Sequence, residues 1–157
     1  MNGGHRARLW VFGALTVCIM LAIFAFSAQN ADESQRLSDG FLASLIGRVL
    51  EALLPRLSEK GMDFDIRKYA HMAEFCVLGV CSFLYVSERR RWAPDLHAAL
   101  LALGFSLLYA GTDELHQLFV PGRACRFTDV LVDGCGILSG VALARLVQLL
   151  HDKTRKT

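Results

Sequence analysis

Residues 112–140 read TDELHQLFVPGRACRFTDVLVDGCGILSG, and this stretch decides the fold. It places a row of ionisable and amide side chains between two apolar segments, one ending near Ala110 and one continuing to Leu150. Charged groups in such a position are costly unless they pair or face water. If the flanking segments cross a bilayer, the row marks the functional site. Its members are Asp113, Glu114, His116, Gln117, Arg123, Arg126, Asp129 and Asp133.

The composition favours a bilayer environment. Of the 157 residues, 54% are hydrophobic and 20% are charged, and the mean hydropathy is +0.37, so the chain is more apolar than an ordinary soluble domain. We expect one membrane domain over residues 1–157. The net charge of +2 gives no indication of nucleic-acid binding. The cysteines form no C-x-x-C pair, so we interpret them as small hydrophobic residues: Cys18, Cys76, Cys81, Cys125 and Cys135.

Four segments are predicted to cross the membrane as helices, over residues 9–27, 69–87, 95–112 and 130–150. The first is the clearest, because residues 9–26 carry no charge and span about 27 Å as a helix, close to a hydrocarbon core of roughly 30 Å. A cleaved signal peptide is the alternative for this segment, although its apolar run exceeds the usual core of about 7 to 15 residues. The fourth gains support from Gly136-x-x-x-Gly140, a spacing that allows close helix contact.

The loop after the first span carries a second helical pattern. Apolar residues recur at three- and four-residue steps over residues 37–57, which predicts an amphipathic extracytoplasmic helix. Such a helix lies on the bilayer surface or packs against the spans. The expected fold class is therefore an all-α membrane protein, with a bundle of four transmembrane helices plus this amphipathic helix.

Basic residues flank alternate ends of the four spans. Arg6 and Arg8 precede the first span, residues 89–91 follow the second, and Lys153, Arg155 and Lys156 follow the fourth. The first loop holds six Lys or Arg but also seven Asp or Glu, so it does not reverse the pattern. By the positive-inside tendency, we expect a multi-pass protein of the cell membrane with both termini in the cytoplasm.

This topology brings polar residues of three spans to one depth near the outer leaflet. The second span carries His71 and Glu74 within about 10 Å of its outer end, and the fourth begins there with Asp129 and Asp133. Pairs spaced three or four residues apart share one helix face. After the Pro-Gly turn, Arg123 can hold a carboxylate or a phosphate. The predicted ligand-binding set is Arg67, Lys68, His71, Glu74, Asp113, Glu114, Gln117, Arg123, Asp129 and Asp133.

Three motifs occur in this set: R-K-x-x-H-x-x-E-F at residues 67–75, D-E-x-x-Q-x-x-x-P-G-R at 113–123 and D-x-x-x-D-x-x-G at 129–136. In these motifs the chain resembles the VanZ-like family of small bacterial membrane proteins. The F-S-x-Q stretch at residues 26–29 is similar to the end of that family's first helix, whereas Asp133 stands where an Asn is common. The resemblance implies a multi-span membrane protein, and the family's founding member is associated with resistance to the glycopeptide antibiotic teicoplanin.

Two functions with a ligand remain open. In the first, a cell-envelope protein binds a lipid-linked precursor, a glycopeptide or another anionic ligand at the outer leaflet, with basic residues including Arg126 on its phosphate or carboxylate. In the second, the chain is a hydrolase or transferase acting on an envelope lipid, assisted by a metal ion. Its candidate catalytic residues are His71, Glu74, Asp113 and Glu114, with His116 as a further ligand type.

A third function is structural, in which the polar groups pair with one another to fix helix register or the chain serves as an interaction subunit. Neither H-E-x-x-H nor a paired cysteine set is present, so we assign no metal or cofactor. The predicted partners are the lipid bilayer and a lipid-linked envelope precursor or glycopeptide, and protein partners are not indicated.

Overall fold

The computed structural model describes residues 3–29, 66–90, 95–123 and 125–154. These ranges contain no strand and form four helices: α1 (Gly3–Ser27), α2 (Ile66–Arg89), α3 (Asp95–Gln117) and α4 (Phe127–Thr154). The predicted all-α fold with four membrane-spanning helices is confirmed. The amphipathic helix predicted over residues 37–57 lies outside the described residues.

All four helices are long and apolar enough to cross a membrane. Large apolar side chains such as Leu108, Leu21 and Leu146 point away from the other helices and are exposed. In contrast, several acidic side chains are buried inside the bundle: Asp113, Glu114 and Asp133 are each only 2% exposed. This apolar exterior suits hydrocarbon and not water. The chain is therefore a multi-pass membrane protein.

Each helix extends beyond the apolar run that predicts it. The third span was expected to end at residue 112, but α3 continues to Gln117, so that Asp113 and Glu114 belong to its last turns. Helical turns then continue in the connection, where the amide of Val120 donates to the carbonyl of Gln117. Gly122 reverses the chain with a φ of 78°, a conformation that favours glycine. The run of apolar residues ends before the helix does, because the last turns of the helix carry polar residues that lie inside the bundle.

Close contact between α2 and α4 forms the centre of the bundle. A β-carbon at Gly136 or Gly140 would collide with a main-chain carbonyl oxygen of α2, that of Met72 or that of Cys76 respectively. A β-carbon at Gly79 of α2 would lie 2.6 Å from the carbonyl oxygen of Ile137. The two backbones thus touch with no side chain between them, as the Gly-x-x-x-Gly spacing predicts. This contact fixes the relative position of the two helices that carry six of the ten residues of the predicted site.

Candidate functional site

Polar side chains from three helices and the α3–α4 connection surround one small cavity. Its volume is about 20 Å³, which is space for a water-sized group, and it is partly open to the outside. We call it the polar cavity. It is lined by Lys68, His71, Glu114, Gln117, Arg123, Asp129, Val132 and Asp133. Seven of these eight residues belong to the set that the sequence predicts.

Two cross-helix pairs form the side of the polar cavity between α2 and α4. The Lys68 ammonium lies 3.5 Å from Asp129 Oδ1, and His71 Nδ1 lies 3.8 Å from Asp133 Oδ1. The two acids are four residues apart on α4, so both face α2. The Lys68–Asp129 pair is more accessible than the His71–Asp133 pair, because the Lys68 side chain is 35% exposed and the Asp133 side chain only 2%.

Asp113 lies behind the polar cavity and links α1 to α3. Its Oδ2 accepts a hydrogen bond from Ser27 Oγ at 2.7 Å and another from Gln117 Nε2 at 3.1 Å. All three side chains are buried. Gln117 also lines the cavity, so it joins Asp113 to the cavity wall. Asp113 itself is therefore placed to hold neighbouring groups in position.

Glu114, next to Asp113 on α3, contributes to the cavity wall. Its Oε2 accepts a hydrogen bond from the main-chain amide of Arg126, at 3.1 Å. This bond holds the start of α4 against the end of α3. Arg126 is also among the cations expected to bind the ligand; its side chain is exposed and does not line the polar cavity.

Arg123 joins the polar cavity to the end of α1. Its Nε donates to the carbonyl oxygen of Gln29 and its Nη2 to that of Phe26, both at 3.1 Å. The last carbonyl groups of a helix have no partner within the helix, so a guanidinium is a favourable cap for them. Arg123 thus does return toward the site after the turn at Gly122, but it also fixes α1.

Among the predicted residues whose side chains the structure describes, Glu74 and Asp113 do not line the polar cavity. Glu74 is half-buried one turn along α2 from His71, where the charges of His71, Asp113 and Asp133 act on it. Arg67 lies in the first turn of α2. His116, a further ligand type in the metal hypothesis, packs its ring against that of Phe24, with 4.3 Å between the ring centroids.

Three buried carboxylate oxygens have no hydrogen-bond partner among the described residues: Glu74 Oε2, Asp113 Oδ1 and Asp133 Oδ2. An unpaired buried acceptor is costly, and of these three residues Asp133 lines the polar cavity, so its Oδ2 is suited to accept a hydrogen bond from a group that enters. Within the same residues, no cluster of three or more His, Cys, Asp or Glu side chains has an arrangement that could hold a metal ion. The site thus contains positively charged side chains together with a carboxylate oxygen that can accept a further hydrogen bond.

The contribution of α1 is the part of the site that sequence reasoning missed. Ser27 and the carbonyl groups of Phe26 and Gln29 contact Asp113 and Arg123, more than eighty positions later in the chain. Tyr109 likewise ties α3 to α1 through a 2.6 Å bond from its hydroxyl to the carbonyl of Met20. The signal was the F-S-x-Q stretch, whose polar residues end an otherwise apolar run.

Cys125 lies beside the site in the α3–α4 connection and is exposed. Partial desolvation, followed by the charge of the Glu114 carboxylate and a hydrogen bond to it, raises the pKa of the Cys125 thiol. Because the thiolate is the reactive form, this cysteine is a slow nucleophile at neutral pH. Its exposure makes it an accessible position for chemical labelling.

Comparison with known proteins identifies the family. A family model described as VanZ/LLP1 matches residues 12–148, a range that includes parts of all four helices and every residue of the polar cavity. No curated protein and no solved structure matches the chain. The matched range covers well over half of the sequence, and the chain belongs to the VanZ-like family of membrane proteins.

Proposed function

We infer that the chain is a cell-envelope protein that binds the charged headgroup of a lipid-linked or otherwise anionic ligand in the polar cavity, at the outer leaflet. The observation that carries this proposal is the convergence of Lys68, Arg123 and His71 with three acidic residues around one opening. A lysine or arginine can hold a phosphate or carboxylate. The acidic side accepts hydrogen bonds from hydroxyl or amine groups of the same ligand.

The unpaired oxygens support a ligand that carries donors as well as a negative charge. Asp133 Oδ2 is buried in the cavity wall without a partner among the described residues. A ligand hydroxyl or ammonium placed there removes the cost of that unpaired acceptor. Headgroups that combine a phosphate with hydroxyl or amino groups, as in lipid-linked envelope precursors, meet both requirements. Resistance to a glycopeptide such as teicoplanin would follow if the ligand is a precursor that the antibiotic also recognises.

The volume of the polar cavity limits what enters it. About 20 Å³ admits a water-sized group, so a phosphate enters only if the lining moves. Lys68 is the side chain best suited to this, because it is partly exposed and its flexible stem carries the charge. We expect its ammonium to leave Asp129 and turn toward the ligand.

The test uses Lys68→Gln, with Arg126→Gln as its control. Both changes remove one positive charge near the same end of the bundle, but Arg126 does not line the polar cavity. We expect wild-type protein and Arg126→Gln to retain a lipid-linked envelope precursor through purification, measured by mass spectrometry of the extract. Lys68→Gln should lose that lipid while it remains folded. Equal lipid retention by all three proteins would contradict the proposal.

Catalysis is a second candidate, and the pairing of His71 with Asp133 favours it. The Asp133 carboxylate lies 3.8 Å from one imidazole nitrogen and favours a proton there by its charge, which leaves the other nitrogen to act as a general base. The substrate would be a lipid-linked phosphate ester or pyrophosphate hydrolysed or transferred beside Glu114. Purified protein incubated with a lipid-linked pyrophosphate and divalent cations should then form product, whereas His71→Asn should not. Absence of product with wild-type protein would leave binding as the function.

A further inference from the structure

A second concavity lies at the opposite end of the bundle from the polar cavity. It is a groove of about 1050 Å³ between α1, α2 and α3. It follows α1 from Arg6 to Met20, and it is bordered by Tyr85 of α2 and by Leu101 and Phe105 of α3. The groove exists because α1 packs mainly on α2 and contacts α3 little. We call it the basic groove.

Charge is concentrated at one end of the basic groove. Arg6, Arg89 and Arg90 line its mouth, and most of the remaining lining is apolar. Among the residues that the structure describes, no carboxylate pairs with these three guanidinium groups. Arg8, which lies on α1 like Arg6, does have a carboxylate partner: it is bonded to Glu88 at 3.1 Å, and it does not line the groove. The mouth is therefore suited to an anion, and the groove behind it to a hydrocarbon chain.

The length of the basic groove fits one membrane leaflet. From Arg6 to Met20 a helix rises about 21 Å. One leaflet contributes about half of a hydrocarbon core of roughly 30 Å, and the headgroup lies just beyond it. A phospholipid whose acyl chain lies along α1 thus places its phosphate at the level of Arg6. Trp10, which also lines the groove and is 77% exposed, lies one turn deeper, at the depth where tryptophan side chains meet the membrane interface.

We propose that the basic groove is a binding site for an anionic phospholipid, with an acyl chain in the groove between α1 and α3 and the phosphate held by Arg6, Arg89 and Arg90. A zwitterionic lipid fits the apolar part but carries an ammonium group that the three arginines repel. Inorganic phosphate meets the arginines but leaves the apolar lining without a partner. Basic pockets between transmembrane helices recognise anionic headgroups in this way. This site is separate from the polar cavity and does not depend on the function proposed for it.

The chain contains its own reporter for this site. It has two tryptophans, so in a Trp92→Phe background Trp10 is the one that remains. Brominated acyl chains quench tryptophan fluorescence on contact, and quenching in mixed bilayers therefore measures which lipid occupies the groove. We propose to reconstitute the full chain in bilayers of phosphatidylcholine and phosphatidylglycerol, with the bromine on one or the other lipid.

Three variants separate the alternatives. The triple change Arg6→Gln, Arg89→Gln and Arg90→Gln removes the anion site. Arg8→Gln removes a positive charge from the same end of the bundle but leaves the groove lining unchanged. Ala14→Phe fills the apolar part. For wild-type protein we expect phosphatidylglycerol to be preferred at Trp10 by on the order of tenfold, since each arginine near an anionic headgroup contributes several-fold.

The triple variant should lose this preference, Arg8→Gln should keep it, and Ala14→Phe should weaken quenching by both lipids. Millimolar inorganic phosphate should not reduce the preference, because the acyl chain is needed for binding. The proposal is overturned if wild-type protein shows no preference or if Arg8→Gln abolishes it as fully as the triple change does. It is also overturned if Ala14→Phe leaves quenching unchanged, or if phosphate alone competes.

Discussion

The hydroxyl of Ser27 donates a hydrogen bond to Asp113 Oδ2 across 2.7 Å, although the two residues are 86 positions apart. Ser27 ends α1 and Asp113 lies near the end of α3, and both side chains are buried. The bond joins two helices that otherwise make few contacts. It therefore holds the end of α1 beside the polar cavity.

The first prediction concerns this bond. Ser27→Ala removes a donor from a buried carboxylate, so we expect a loss of about 1–3 kcal/mol of stability, seen as a lower melting temperature in detergent. Thr112→Ala is the control, because the Thr112 hydroxyl is exposed and donates to the carbonyl of Tyr109 in its own helix. If both variants melt together with the wild type, Asp113 does not depend on Ser27.

The second prediction concerns Arg123. Its two bonds to α1 carbonyl groups need the planar donor arrangement of a guanidinium, so Arg123→Lys should not restore what Arg123→Ala loses. We expect a loss of about 1.5–3 kcal/mol for each variant, since these are hydrogen bonds from a charged donor. Thermal unfolding of each variant, with and without a bound lipid, measures this loss of stability. Full rescue by lysine would mean that Arg123 acts through charge alone.

The third prediction concerns the contact between α2 and α4. Gly140→Ala introduces a β-carbon where the carbonyl oxygen of Cys76 already lies, so the helices must separate and the melting temperature should fall by several degrees. Gly104→Ala is the matched control, because nothing lies within 4 Å of the added carbon. There the gain in helix propensity, up to about 1 kcal/mol, should leave stability equal or slightly higher. Equal loss in both variants would exclude the steric explanation.

The fourth prediction tests the orientation. Cys125 is exposed in the α3–α4 connection, which positive-inside reasoning places outside the cell. A membrane-impermeant maleimide should therefore label intact cells, and Cys125→Ser should prevent labelling. Because the pKa of this thiol is raised, its thiolate fraction at neutral pH is low, and labelling should accelerate as the pH is raised from neutral into the alkaline range. Labelling of Cys125 only after permeabilisation would reverse the proposed topology.

A pH control strengthens that experiment. Glu114→Gln removes the carboxylate that acts on the Cys125 thiol, so its pKa should fall toward an ordinary value and labelling at neutral pH should become faster. Unchanged labelling would mean that local access, and not charge, limits the reaction.

The sequence predicted the spans because each contains an apolar run long enough for a bilayer, and this signal is local. The polar cavity was also predictable to a large degree, since helix periodicity places Asp129 and Asp133 on one face and the topology brings the ends of α2, α3 and α4 together. The link from α1 was not predictable in this way. A serine at the end of an apolar run has no local signal that identifies a partner 86 residues away.

Helix ends were less predictable than helix existence. The run of apolar residues that predicts the third span stops before Asp113, and yet α3 continues through Gln117 because its polar groups find partners inside the bundle. The ionisable residues lie at the helix ends, where an apolar pattern ends by definition. The predicted amphipathic helix at residues 37–57 lies in the part of the chain that the structure leaves undescribed.

The bare glycine contact between α2 and α4 determines which wall of the polar cavity can yield. Backbone thickness alone sets the separation of these helices, so no rotamer change can move Lys68 and His71 as a group away from Asp129 and Asp133. Any room that a larger guest needs beyond what the turning of the Lys68 side chain supplies must come from the opposite wall, by displacement of the Pro-Gly turn and the end of α3. Entry of the guest would then weaken the hydrogen bonds from Arg123 to α1. Filling of the polar cavity would thus be coupled to release of the first helix.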